Sequence, residues 1–236
     1  MAKNRKWIDP NLPVWFDGTN INEAVFCDEF LSSHKIIYSN RAFFTPDGRV
    51  TDDLPLRGEI FERLKCCAVN NIPRKVSNIL EVMKLAAQVD DFPPLPDRIH
   101  LSNGTLMLDG SFIPGKLEIV RSRLPVAYNP DAPKPERWLS FLDGLLYPED
   151  IVTLQEFIGY CLIPSNKGQR MMVIKGNGGE GKSQIGAVLG AMFGSNMKDG
   201  SIGKISENRF ARADLEHILL CVDDDMRMEA LRQTNY

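Results

Sequence analysis

Residues 173–186 read VIKGNGGEGKSQIG, and no other stretch restricts the possible folds of this chain as much. An apolar run, MMVIK (171–175), leads in, four glycines fall within positions 176–181, and QIGAVLGAMFG continues with apolar residues at helical spacing. Strand, Gly-x-x-x-x-Gly-Lys-Ser, then helix is the context that a phosphate loop requires. Gly176, Gly179 and Gly181 free the backbone of Cβ, so consecutive N–H groups can turn against phosphate oxygens. The helix expected to start near Lys182 adds the partial positive charge of its N-terminus. On this reading Gly176, Asn177, Gly178, Gly179, Glu180, Gly181, Lys182 and Ser183 form a nucleotide cradle. Lys182 reaches the β- and γ-phosphates of ATP, and the Ser183 hydroxyl ligates Mg²⁺.

Hydrolysis also needs one acid for the metal and one to orient water. HILLCVDDDM (217–226) offers both: a buried-strand pattern followed by three aspartates. Ligands of open α/β sheets bind at the carboxyl ends of the strands. Asp223 is therefore expected to hold the Mg²⁺ shell and Asp224 to polarise the attacking water. The competing expectation is that these acids cap a helix in MRMEALRQ. The register among Asp223, Asp224 and Asp225 stays open.

Bulk properties exclude several classes. With 43% hydrophobic and 25% charged residues, the 236-residue chain is an ordinary globular sequence of one or two domains. A net charge of −3 leaves no global basic footprint for nucleic acid. The five cysteines are odd in number and lack C-x-x-C spacing, and Cys161 and Cys221 sit in apolar runs. The expectation is buried thiols in a reducing compartment. His34, His100 and His217 have no ligand spacing. MAKNRKWIDP is basic but lacks a signal peptide's apolar stretch. No run approaches the roughly eighteen apolar residues of a membrane span, so no membrane partner is expected.

Along the chain, an extended arm precedes a short helix at 21–32. A hairpin over 35–50 turns on Pro46-Asp47-Gly48. Helical spacing over 56–69 and 75–89 is broken by Pro73. The DDFPPLPDR loop then leads into a β-meander, IHLSNGTLMLDGSFIP, with Asn103-Gly104 and Asp109-Gly110 as turns. A Pro-rich connector, NPDAPKP, precedes helical patterns at 137–146 and 150–163, the second started by Pro148-Glu149-Asp150. Phe43, Phe44 and Trp138 are expected in the core. Asp52-Asp53 and Asp90-Asp91 read as solvated loop acids rather than a metal cluster.

The ordered set LSNGTLMLDGSFIP, RLPVAYNPDAPKPERWLSFL, LQEFIGYCLIP, VIKGNGGEGKS and RFARADLEHILLCVDDD resembles the phage and plasmid primase-helicases. These are superfamily 3 helicases with a poxvirus-primase-like N-terminal domain. The likeness is clear from about residue 95 and looser from residue 20. It implies an α/β chain: an N-terminal mixed α+β domain (1–130), a helical linker (131–165) and an incomplete P-loop, AAA+-type ATPase core (166–236). It also implies a homo-hexameric ring that uses ATP and Mg²⁺ to unwind single-stranded or forked DNA in the cytoplasm of a bacterial host. Lys182 and Ser183 match the first nucleotide motif of the family; Asp223 and Asp224 match the second, where the family usually has Asp-Glu or Glu-Glu.

The family's DNA-gripping hairpin, sensor asparagine and arginine finger come later than Tyr236. The expectation is a front portion that binds ATP-Mg weakly and does not unwind DNA alone. No separate carboxylate cluster for primer synthesis is evident. KNRK (3–6) with Trp7, and the pair Arg121 and Arg123, are the local basic features open to a DNA role. Two other readings compete. A small-molecule kinase or switch GTPase would need an arginine-rich lid or an Asn-Lys-x-Asp guanine reader. A non-catalytic fragment would dock onto a full-length ring through one head-to-tail face.

Overall fold

The computed structural model describes residues 12–68, 70–208, 213, 215–224 and 226, a mixed α/β chain of helices and small sheets. Its contacts divide it into two compact units, Met1–Phe92 and Pro93–Tyr236, each with its own core.

In the first unit, α1 (Glu23–Ser33) starts at Asn22, whose side-chain oxygen accepts from the Val25 N–H at 3.2 Å. That bond satisfies one of the donors a helix start leaves over. The stretch expected as one hairpin is a three-stranded antiparallel meander of β1 (Ile37–Ser39), β2 (Ala42–Thr45) and β3 (Gly48–Arg49). Pro46-Asp47 makes its second turn. Its first is Asn40-Arg41, with φ of 47° and 64°, the two-residue geometry that matches strand twist.

Next come α2 (Leu54–Leu64) and α3 (Ile72–Ala86). Pro73 does not separate them. It lies in the first turn of α3, where a missing N–H leaves no bond unmade. Val76, Ile79, Leu80 and Met83 recur on one face of α3 and are buried with Phe26, Phe30, Ile60 and Leu64. Trp15 meets Phe26 edge-on at 5.0 Å. Phe43 and Phe44 are buried, whereas Asp52, Asp53, Asp90 and Asp91 are exposed. Cys27 is buried here, but Cys66 is exposed, its thiol 3.2 Å from that of Cys67, so the expectation of buried thiols fails at this position.

The units part inside the DDFPPLPDR loop rather than near residue 130. The cause is the second meander, of β4 (Arg98–Leu101), β5 (Gly104–Met107) and β6 (Phe112–Pro114). Its Ile99 and Leu101 are buried with Leu124, Leu142, Leu154, Ile185 and Phe193, so it belongs with the helices that follow. Those helices are α4 (Glu136–Asp143), α5 (Pro148–Cys161) and α6 (Ser183–Phe193). Trp138, expected in the core, packs against it while remaining half-exposed.

Polar groups also enter this core. His100 Nδ1 lies 3.1 Å from Thr105 Oγ1, and both residues are buried. Asn196 donates to the carbonyls of Arg123 and Phe193 at 2.8 and 2.9 Å. β7 (Met197–Asp199) pairs in parallel with β8 (Leu220–Val222), and α7 (Ile202–Glu207) lies in the connection. A parallel pair requires such a crossover, and its register sets the aspartates at the carboxyl end of β8. Among the described residues no helix is long and apolar enough to cross a membrane.

Candidate functional site

The run Met171–Lys175 enters the glycine loop with alternating exposure. Met172 and Ile174 pack on the core, while Met171 and Val173 are 54% and 50% exposed. The alternation is that of a strand, yet the run joins no sheet among the described residues, so the expected strand is not formed there. A strand is defined by its ladder, and β7 and β8 pair with each other.

The loop itself bends as its composition requires. Gly178, Gly179 and Gly181 have φ of 91°, 74° and 94°, a region that costs a side chain about 1–2 kcal/mol. α6 then begins at Ser183, with Lys182 at its N-cap. Its first carbonyl acceptors are Gly181, reached by the Gln184 N–H at 2.9 Å, and Lys182, reached by Ile185 at 3.0 Å. The amides ahead of these lie in the loop, where nothing in the helix accepts from them. On the far side of Gly181 stands Phe141 of α4, 3.5 Å from where a Cβ would sit, with Trp138 stacked on it at 5.7 Å. The helical pattern at 137–146 foretold α4 but held no signal that this residue would back the loop.

Ser183 and the acidic cluster are 41 residues apart in sequence and meet in space: Ser183 Oγ donates to Asp224 Oδ1 at 3.0 Å. The expectation set Ser183 beside Asp223. Asp223 instead accepts from the Ile202 N–H at 2.9 Å, at the start of α7. β8 ends at Val222 and the chain turns at Asp224, so the two neighbouring acids reach different partners. Asp225 and the helical pattern after Met226 lie outside the described residues. The Cys221 thiol of β8 is pushed up by burial and then by the charge of Asp223, which keeps it protonated and inert near neutral pH.

Glu180 and Lys182 pair with each other, Lys182 Nζ donating to Glu180 Oε2 at 3.1 Å. Among the described residues no group of three or more His, Cys, Asp or Glu converges as a metal cage. Mg²⁺ does not need one, since it is commonly held by one or two carboxylates together with phosphate oxygens and water. The positive-φ glycines, the lysine, and a hydroxyl 3.0 Å from a carboxylate make a donor set that fits a magnesium-bound triphosphate.

The basic features fare differently. Arg123 is turned inward, its guanidinium donating to the carbonyls of Leu101 and Gly104, so it ties the meander together and offers nothing to DNA. Arg121 lies 3.2 Å from His217 Nδ1. KNRK with Trp7 lies outside the described residues. Compared with known proteins, the chain matches neither a family model nor a curated sequence.

Proposed function

We propose that the second unit binds ATP with Mg²⁺ and hydrolyses it, and that the chain is the nucleotide-binding portion of a replicative DNA helicase of the phage and plasmid primase-helicase type. The observation that carries the nucleotide reading is the hydrogen bond from Ser183 to Asp224, which brings the end of the glycine loop to the acidic end of β8. A glycine-rich turn without a phosphate role has no need of that meeting. The AAA+-type core, the homo-hexameric ring and the DNA substrate rest on the ordered motifs of the sequence.

In this reading the loop amides and the N-terminus of α6 orient the phosphates. Lys182 sets its charge against the β- and γ-oxygens, where negative charge is spread in the transition state. Ser183 and Asp224 hold the cation's side of the site, because their oxygens already lie within hydrogen-bond distance. When bound, the magnesium ion neutralises charge developing on the transferred phosphoryl group. Asp223 fixes the start of α7 by accepting from the Ile202 N–H.

The test is equilibrium binding of ATP-Mg to the chain and to Lys182→Ala. Removing a hydrogen bond to a charged group costs about 1.5–3 kcal/mol, so the variant binds about 10- to 100-fold more weakly. Hydrolysis and oligomeric size are measured in parallel, with and without single-stranded DNA. Equal binding by the two proteins removes the nucleotide reading. Nucleotide-dependent phosphorylation of a small metabolite would replace the helicase by a kinase.

A further inference from the structure

Glu180 sits inside the glycine loop, and its side chain turns back over the loop's mouth. Its Oε2 accepts from the Asn177 N–H at 3.2 Å and from Lys182 Nζ at 3.1 Å. These are a loop amide and the loop ammonium, two groups that a phosphate would engage. The carboxylate and the ammonium lie directly over Gly176. A Cβ added there would overlap Glu180 Oε2 and come within 2.7 Å of Lys182 Nζ. Gly176 thus allows the carboxylate to close down on the backbone.

We propose that the Glu180 carboxylate is a built-in occupant of the phosphate site, a latch that a phosphate-ester ligand must displace before it can bind. The proposal rests on the phosphate reading of the loop and adds a competitor to it. A carboxylate and a phosphate oxygen are both anionic acceptors, and Lys182 cannot give the same N–H bonds to both. Once displaced, Glu180 remains a negative charge beside the ligand's own, so it weakens binding in the open state as well. The Lys182 ammonium, followed by the Asn177 amide, holds the Glu180 carboxyl below its ordinary range, so the latch is charged at neutral pH. Apparent affinity falls by the fraction of molecules in the open form. A loop closed nine times in ten binds about tenfold more weakly than an open one.

Two measurements on the full chain test this. Carbon-13 NMR follows the titration of the Glu180 carboxyl in the natural protein and in Lys182→Met. Isothermal calorimetry with ATP-Mg compares the natural protein with Glu180→Gln, which keeps the size and loses the charge, and with Glu180→Ala. The expected result is a Glu180 carboxyl that titrates below the usual glutamate range and returns to it in Lys182→Met, with ATP bound about tenfold more tightly by both Glu180 variants. A Glu180 that titrates like a free glutamate in both proteins overturns the latch whether or not ATP binds. A depressed titration with equal ATP affinity in all three proteins overturns the competition and leaves the nucleotide site standing. A depressed titration with no ATP binding to any of them removes the nucleotide reading and this proposal together.

Discussion

The two units close their cores by different means. In Met1–Phe92 the buried side chains are apolar apart from Ser39, the only buried polar residue among those described there. In Pro93–Tyr236 the buried set includes His100, Thr105, Arg123 and Asn196. An apolar core is stabilised by area and fit, so it tolerates pH and suffers from cavities. A core with polar groups is sensitive to whether each keeps its partner and its protonation state. The second arrangement lies in the unit that carries the glycine loop, where hydrogen bonds of fixed direction can hold a turn in place. Asn196, for example, ties the end of α6 to the backbone at Arg123.

The largest effect belongs to the first unit. Phe26 is 1% exposed and lies against Trp15 and Phe30. Phe26→Ala should cost about 3–5 kcal/mol, transfer and cavity together. Trp15 fluorescence reports that unit in a Trp7→Phe background, and Trp138 reports the other. A loss shared equally by both probes would break the comparison.

Next comes pH. Burial, ahead of the opposing pull of Glu118, lowers the His100 pKa from 6.5 to about 4. The other charges around it are Arg123, Arg98 and Asp97. An unfolded chain takes up this proton below about pH 6.5, whereas the folded chain resists until about pH 4. Stability is therefore full above pH 6.5 and falls by about 3 kcal/mol as the pH drops through 4, levelling off below that. Urea unfolding followed at Trp138 should show the decline, and His100→Gln should flatten it. A decline that survives the substitution assigns it elsewhere.

Asn196→Ala should follow, at about 1–3 kcal/mol, because the Arg123 and Phe193 carbonyls lose a buried donor. The same unfolding curves measure it, and a change below about 0.5 kcal/mol, the range of an ordinary surface substitution, would argue that direction matters little in this core.

Much of this was legible from residue order, and the failures have common physical roots. Helix α3 could be read because Val76, Ile79, Leu80 and Met83 repeat at the helical period, and the second meander because Asn103-Gly104 and Asp109-Gly110 mark its turns. The Asn40-Arg41 turn was missed because arginine carries no preference for positive φ; the pairing of Ser39 with Ala42 imposes it. Arg121 and Arg123 looked alike in sequence, yet one guanidinium is spent on buried carbonyls, a fate decided by the fold around it. Met171–Lys175 has strand composition, but a ladder depends on a neighbour that no local pattern encodes. At the site, glycine placement foretold the bend, whereas which acid meets Ser183 is decided by the turn after β8, which a run of three identical residues does not reveal.

The smallest effect completes the contrast. Arg57 pairs with Asp53 across one turn of α2 at 2.9 Å and also donates to Ser77 Oγ at 3.3 Å, all at the surface of the first unit. Side-chain exposures of 39% and 48% leave both charges well solvated. Arg57→Ala should therefore change stability by no more than about 0.5 kcal/mol, and molar salt should erase the difference. The Asp53 carboxyl, held below its ordinary range first by its hydrogen bond to Arg57, adds stability above its unfolded pKa and loses it as the pH falls through the folded value. That loss lies at more acidic pH than the one set by His100. Unfolding at pH 7 with Trp15 as probe, at low and high salt, measures the effect. A salt-resistant loss above about 1 kcal/mol, beyond what exposed pairs contribute, would mean that the first unit also depends on directed polar contacts, and the distinction between the two cores would fail.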